Sequence, residues 1–69
     1  MNYIRCYEYP HNITATPVWQ KFSDYCWDNK LKRNDLLADW DGEVAVVRGV
    51  EYVVFKTDND LTWFLLKWA

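Results

Sequence analysis

The sequence predicts an α+β domain in which a small antiparallel sheet of about four strands packs on one main helix. Three observations lead to this prediction: an amphipathic helical pattern after a proline, segments of alternating or branched residues on both sides of it, and an aromatic content of 19%. The predicted element order is β-α-β-β-β, with a short second helical segment after the main helix. The simplest architecture with this order is an antiparallel sheet with the helix packed on one of its faces. The 69 residues are expected to form a single domain, residues 1–69.

The first strand and the main helix are predicted from clear patterns. Residues 3–9 alternate, with tyrosines on one side, and Pro10 ends the strand because proline cannot donate to a ladder. Thr16 and Pro17 are typical of a helix start, as a cap and as a first helical residue. A core-facing apolar stripe follows on a helical wheel, made of Val18, Trp19, Phe22, Tyr25 and Cys26.

The second half of the chain is predicted to be mostly strand. Residues 36–40 form a short helical segment, which Asp41 and Gly42 end. Branched and aromatic residues then favour strands over 43–48, 50–56 and 61–68. The polar residues 57–60 are interpreted as the turn before the last strand.

The composition limits the function classes. Ten Asp and Glu residues outnumber eight Lys and Arg residues, for a formal net charge of -2. General affinity for nucleic acid needs a basic surplus, so nucleic-acid binding is disfavoured. No apolar run approaches the ~20 residues that cross a membrane, and the first residues lack the pattern of a secretory signal. A cytoplasmic protein without membrane contact is expected, with Cys6 and Cys26 reduced rather than joined in a disulfide.

Catalysis has little support in the sequence. His11 is the only histidine, and no cysteine or serine stands with it in a recognised catalytic arrangement. The only glycines are Gly42 and Gly49, too few for a glycine-rich phosphate loop. A chain of this length also has difficulty enclosing a pocket of ~300–1,000 Å³. We therefore expect no enzyme activity, no cofactor and no metal site.

The best candidate contact surface is the face of the main helix opposite its apolar stripe. Trp27 and Leu31 form an i,i+4 apolar pair there. Either the 36–40 segment folds back over this pair, or a partner binds it. Tryptophan is the residue most enriched at binding hot spots. The predicted partner-binding residues are Trp27 and Leu31, followed by Trp40 and Trp68. Lys30 and Arg33 are predicted to lie at the rim of this surface, in the last turn of the helix.

The favoured function is a small, non-catalytic protein-binding domain. Aromatic side chains would insert into pockets on a macromolecular partner. The protein would then act as a steric inhibitor, encoded by a virus or mobile element and directed against a host system. One alternative is a single-stranded nucleic-acid binder, in which Tyr3, Tyr7 and Tyr9 stack with bases beside Arg5. The other alternative is a structural homodimer subunit, because two predicted strands are apolar on both faces and one helix can cover only one face.

Overall fold

The computed structural model describes residues 2–69. Within this range the chain forms a small α+β fold with three antiparallel strands in one sheet and three α-helices. The elements are β1 (Tyr3–Arg5), α1 (Pro17–Asp28), α2 (Arg33–Leu37), a 3₁₀ turn (Ala38–Trp40), β2 (Gly42–Val47), β3 (Val50–Phe55) and α3 (Asp58–Trp68). The α+β class and the antiparallel sheet are confirmed, but the order is β-α-α-β-β-α. No helix within residues 2–69 is long and apolar enough to cross a membrane.

The central strand of the sheet is β3, with β1 on one side and β2 on the other. Ile4 and Val44 both lie opposite Val53, one on each neighbouring strand. A two-residue turn joins β2 to β3, and its residues Arg48 and Gly49 have φ angles of 53° and 78°. Positive φ at both positions is the requirement of a type I′ turn, whose twist matches that of the strands it connects.

Helix α1 starts at Pro17 as predicted but ends earlier than expected. Lys30 adopts a left-handed conformation with φ 56°, and its N–H donates to the carbonyl of Trp27. The N–H of Leu31 donates to the carbonyl of Cys26 at 2.8 Å. These two bonds form a Schellman motif, which satisfies the last carbonyls of the helix and turns the chain away. Lys30 therefore follows α1 rather than lying in its last turn, and Arg33 is the first residue of α2.

The predicted fourth strand, residues 61–68, is instead most of helix α3. Thr57 caps this helix: its Oγ1 accepts from the N–H of Asp60 at 3.2 Å and donates to the Asp60 carboxylate at 2.9 Å. The buried residues Leu61, Phe64 and Trp68 lie three to four residues apart, so one face of α3 enters the core. The apolar residues of this segment thus follow the helical period, which outweighs the strand propensity of their types.

A continuous hydrophobic core lies between the sheet and the helices. Its buried members come from β3, from the three helices and from the segment after β1: Cys6, Trp19, Phe22, Cys26, Leu37, Val53, Phe55, Leu61, Phe64 and Trp68. Ile4 of β1 and Val44 of β2 are partly buried and pack against them. Tyr25, predicted to lie on the core stripe of α1, is exposed, although its ring still contacts that of Trp68. The sheet therefore buries one face against all three helices of the described chain.

The other face of the sheet contributes nothing to this core. We call it the open face; the register places on it the side chains of Tyr3, Arg5, Glu43, Ala45, Val47, Val50, Tyr52 and Val54. None of them belongs to the buried cluster or to the half-buried side chains that pack on that cluster. The rings of Tyr3 and Tyr52 meet edge to face, with centroids 5.4 Å apart. Strand β3 is thus apolar on both faces, as predicted, with only one of them covered by the core.

Candidate partner-binding surface

The end of α1 presents a large apolar side chain to solvent. Trp27 is 84% exposed and Leu31 is 44% exposed. The 36–40 segment does not cover this pair, because Leu37 turns inward to full burial and Leu36 packs on the core. Of the two arrangements that the sequence allows for Trp27 and Leu31, the structure therefore shows the uncovered one.

Trp27 and Leu31 border a groove of about 860 Å³. We call it the Trp27 groove. One wall comes from the end of α1, and Arg33 from the start of α2 also lines it. Val44 of β2 and Glu51 of β3 line the groove as well. The Schellman turn creates this concavity, because it redirects the chain after α1 and separates the two helices.

Arg33 lies against the aromatic part of the groove. Its guanidinium carbon is 5.3 Å from the centroid of the Trp19 ring, within the range of a cation–π interaction. Trp19 is buried and packs on Phe22, with ring centroids 5.5 Å apart. The core therefore fixes the position of the ring that Arg33 contacts.

The charges around the groove are of both signs. Lys32 and Arg33 supply positive charge, and Asp24, Asp35 and Glu51 supply negative charge. Such a mixed rim does not favour a polyanion over a protein, but it can fix the orientation of a protein partner. The rim of the Trp27 groove is therefore not a uniformly basic surface.

The predicted site residues separate into two groups. Trp27, Leu31 and Arg33 line one groove, and Lys30 is exposed beside it. The other two tryptophans are engaged elsewhere: Trp68 is only 7% exposed, and the half-buried Trp40 ring lies 6.1 Å from the Trp68 ring. Their rings stabilise the core and are not presented to a partner in this structure.

A second exposed pair was missed by sequence reasoning. Trp63 is 65% exposed, and Leu66, one turn later on the outer face of α3, is also exposed. A strand over residues 61–68, as predicted, has no outer helical face, so this prediction gave no indication of the pair. The available signal was the pattern Thr57-x-x-Asp60 before an apolar run, which is typical of a helix N-terminus and would have placed Trp63 opposite the core face.

The predicted stacking platform of tyrosines is not continuous. Strand β1 ends at Arg5, so Tyr7 and Tyr9 do not extend the strand face that carries Tyr3. Tyr7 is half-buried against the core and pairs through its backbone with Ala15. The Arg5 side chain donates to the carbonyl of Tyr7 at 3.1 Å and to the side chain of Asn12. Two guanidinium N–H groups are therefore engaged within the chain, and the guanidinium carbon also lies 5.5 Å from the centroid of the Tyr9 ring. Tyr3, Tyr7 and Tyr9 do not form one strand face beside Arg5.

The two cysteines are free thiols within the core. Burial raises the pKa of Cys6 to about 12; the negative charge of Glu51 acts in the same direction, and the positive charge of Arg33 opposes it. Burial also raises the pKa of Cys26. Both sulfurs are therefore held in the protonated form, which is a poor nucleophile. Among residues 2–69, no group of three or more His, Cys, Asp or Glu side chains is arranged to hold a metal ion.

Comparison of the chain with known protein families, with curated proteins and with solved structures gives no match. The side chains themselves are therefore the basis for assigning a function. Among them, Trp27 and the groove beside it combine exposure, apolar area and fixed charge at one place.

Proposed function

We propose that this protein is a small, non-catalytic binding domain that docks on a protein partner through the Trp27 groove. One observation carries the proposal: an indole that is 84% exposed stands at the border of a concave, mixed-charge surface. Tryptophan side chains are highly buried on average, so a solvated ring beside a groove is unusual for a residue with a purely structural role. A partner that covers the ring would remove this apolar area from water.

The energetic expectation follows from the size of the ring. An indole offers roughly 150–250 Å² for burial, and truncation of a central tryptophan at an interface costs about 2–4 kcal/mol. Leu31 adds apolar area next to it, while Arg33 and Lys32 lie at the rim. We therefore expect Trp27 to dominate the affinity and the charged residues to affect orientation and association rate.

The mechanism is steric in this proposal. The domain would occupy a surface of its partner and exclude whatever else binds there, without chemical change in either protein. The contact of Arg33 with the buried Trp19 ring favours docking through this surface, because a side chain that already has a contact partner loses less entropy on binding.

Affinity capture with matched variants tests the proposal. The tagged wild-type chain, Trp27→Ala and Trp63→Ala would each be incubated with lysate of the source organism, and retained proteins would be identified by mass spectrometry. Each variant removes one exposed tryptophan, so Trp63→Ala controls for nonspecific hydrophobic binding. We expect a partner that wild type and Trp63→Ala retain and Trp27→Ala loses.

A purified partner then allows a direct measurement. Loss of about 2–4 kcal/mol corresponds to a rise in Kd of roughly 30-fold to 1,000-fold for Trp27→Ala in titration calorimetry. An unchanged Kd for Trp27→Ala, with the variant still folded, would show that the groove is not the docking surface.

A further inference from the structure

The outer edge of β2 has no neighbouring strand within residues 2–69. Alternate residues of a strand direct their backbone groups to opposite sides. The N–H of Cys6 donates to the carbonyl of Glu51 at 3.1 Å, so odd-numbered residues of β3 bond towards β1. Even-numbered residues of β3 then bond towards the odd-numbered residues that face them on β2. The even-numbered residues of β2, including Val44 and Val46, direct their N–H and C=O groups to the outer edge.

Residues 44–47 of this edge, which follow Gly42 and Glu43, lack the features that usually prevent strands from pairing. Residues 44–47 contain no charge, no proline and no glycine. Val46 is 63% exposed and Val47 is 54% exposed, and their side chains lie on opposite faces of the strand. The opposite edge of the sheet, β1, is only three residues long. A row of unpaired backbone donors and acceptors flanked by exposed valines is complementary to another extended apolar strand.

We propose that a second copy of this chain pairs with the β2 edge in antiparallel fashion, about a two-fold axis that passes beside Ala45. A two-fold axis perpendicular to the sheet keeps opposed residues on the same face. Ala45 of each copy then faces its counterpart, and Val44 faces Val46 of the second copy. The outward backbone groups of Val44 and Val46 meet directly in this register, and the two sheets become one continuous sheet.

The sequence of β2 favours this register over registers centred closer to Gly42. Centring on Glu43 would set two carboxylates directly opposite each other, which is destabilising. Centring on Val44 would bring Val46 of the second copy beside Gly42, where the Leu37 carbonyl lies close to the strand. When the two-fold axis passes beside Ala45, the residue that faces its own counterpart has the smallest side chain of β2 other than glycine. A second copy also provides hydrogen-bond partners for the outward N–H and C=O groups of β2, without any assumption about the sequence of another protein.

The second copy would contribute to the Trp27 groove. Val44 lines that groove, and in the proposed register Val46 of the second copy lies opposite Val44 on the same face of the sheet. The added valine would extend the apolar wall of the groove. This last step rests on the proposed function, whereas the pairing of the strands does not.

Disulfide trapping of the purified chain tests the register. In a directly opposed pair without hydrogen bonds, Cβ atoms lie about 4.5–5.5 Å apart, close enough for a disulfide after small shifts. Ala45→Cys should therefore give a covalent dimer on oxidation with copper phenanthroline, seen on a non-reducing gel. Val47→Cys is the matched control: it lies on the same face, but its two copies would be about 14 Å apart. We expect cross-linking of Ala45→Cys to be at least about tenfold faster than that of Val47→Cys.

Sedimentation equilibrium tests the pairing without new cysteines. From about 10 μM to about 1 mM, the range expected for a small interface, the wild-type mass should rise towards that of a dimer. Val46→Pro removes one outward N–H and should remain monomeric, while Val46→Thr keeps that N–H and should still associate. Circular dichroism shows whether each variant is folded. A monomeric wild type throughout this range, or equal cross-linking of the two cysteine variants, would overturn the proposal. Neither measurement uses a heterologous partner, so failure here leaves the capture experiment unaffected.

Discussion

The ring of Phe64 lies 5.0 Å from the ring of Phe55, and this contact joins helix α3 to the central strand of the sheet. Phe64 also contacts Phe22 of α1 at 5.3 Å and Trp40 of the 3₁₀ turn at 5.6 Å between centroids. Four separate elements therefore meet at one side chain. Phe64 is fully buried, so these contacts are made without competition from water.

Phe64→Ala should strongly destabilise the protein. Removal of a buried phenylalanine costs about 3–5 kcal/mol, a large part of the 5–15 kcal/mol that a small domain has in total. Urea denaturation followed by circular dichroism would measure the loss. Trp63→Ala, one residue away but exposed, should change the free energy of unfolding by no more than about 0.5 kcal/mol. Equal effects of the two substitutions would contradict the helical assignment of α3.

The two glycines should respond to alanine for different reasons. A Cβ at Gly42 would lie 2.9 Å from a ring carbon of Phe55, so Gly42→Ala should displace that buried ring and cost about 1–3 kcal/mol. A Cβ at Gly49 meets no atom within 4 Å, but φ is 78°, so Gly49→Ala should cost about 1 kcal/mol through backbone strain. Gly49→Asn should cost less than Gly49→Ala, since asparagine tolerates this conformation. Thermal unfolding of the three variants checks the order.

Thr57→Ala should weaken the start of α3. The substitution removes the acceptor for the N–H of Asp60 and the donor to its carboxylate, and loss of an N-cap costs about 0.5–2 kcal/mol. Thr57→Ser keeps a hydroxyl and should recover most of that stability. Chemical denaturation of both variants makes the comparison, and a serine variant as unstable as the alanine variant would rule out capping as the cause.

The Cys6 thiol should make stability depend on alkaline pH. Its pKa is raised from 9.0 to about 12 in the folded protein. Below about pH 9 the thiol is protonated in both states, so its contribution to stability is fully present. Between pH 9 and 12 the thiol ionises only in the unfolded chain, and the free energy of unfolding should fall with rising pH by up to about 1.4 kcal/mol per pH unit.

The variant Cys6→Ala isolates this effect from other groups that titrate in alkali. Its free energy of unfolding should fall less steeply than that of wild type between about pH 9 and about pH 11. Urea denaturation at several pH values measures both slopes. Parallel slopes would show that the thiol ionises equally easily in both states, contrary to its burial.

Local signals explain which elements the sequence predicted. Thr16 and Pro17 identify the start of α1 because capping and a fixed proline φ act within a few residues. The β2–β3 hairpin is likewise encoded locally, by branched residues on both sides of Gly49. The end of α1 was misplaced because the left-handed turn falls on Lys30, a residue with no special preference for positive φ. Helix α3 was missed because residue type was weighted above the spacing of Leu61, Phe64 and Trp68.

The candidate site was predictable only in part. Helical spacing alone places Trp27 and Leu31 together on one outer face. Their exposure depends on where the 36–40 segment packs, and that is decided by burial of Leu37 in a core built from distant residues. Trp40 and Trp68 could not be distinguished from Trp27 by residue type, because only the folded chain determines which of the tryptophan rings meet Phe64.

The sheet order has a consequence for synthesis of the protein. Its central strand, β3, is the last strand to be made, and β1 pairs with it across most of the chain, as in the pairing of Arg5 with Tyr52. Until residues 50–55 have left the ribosome, neither β1 nor β2 has a strand to pair with. Helix α3 is synthesised later still. The nascent chain must therefore carry the apolar residues of β1 and β2 unpaired until β3 has left the ribosome. Chains that terminate before residue 50 lack the central strand, and we expect them to be substrates for chaperones and proteases.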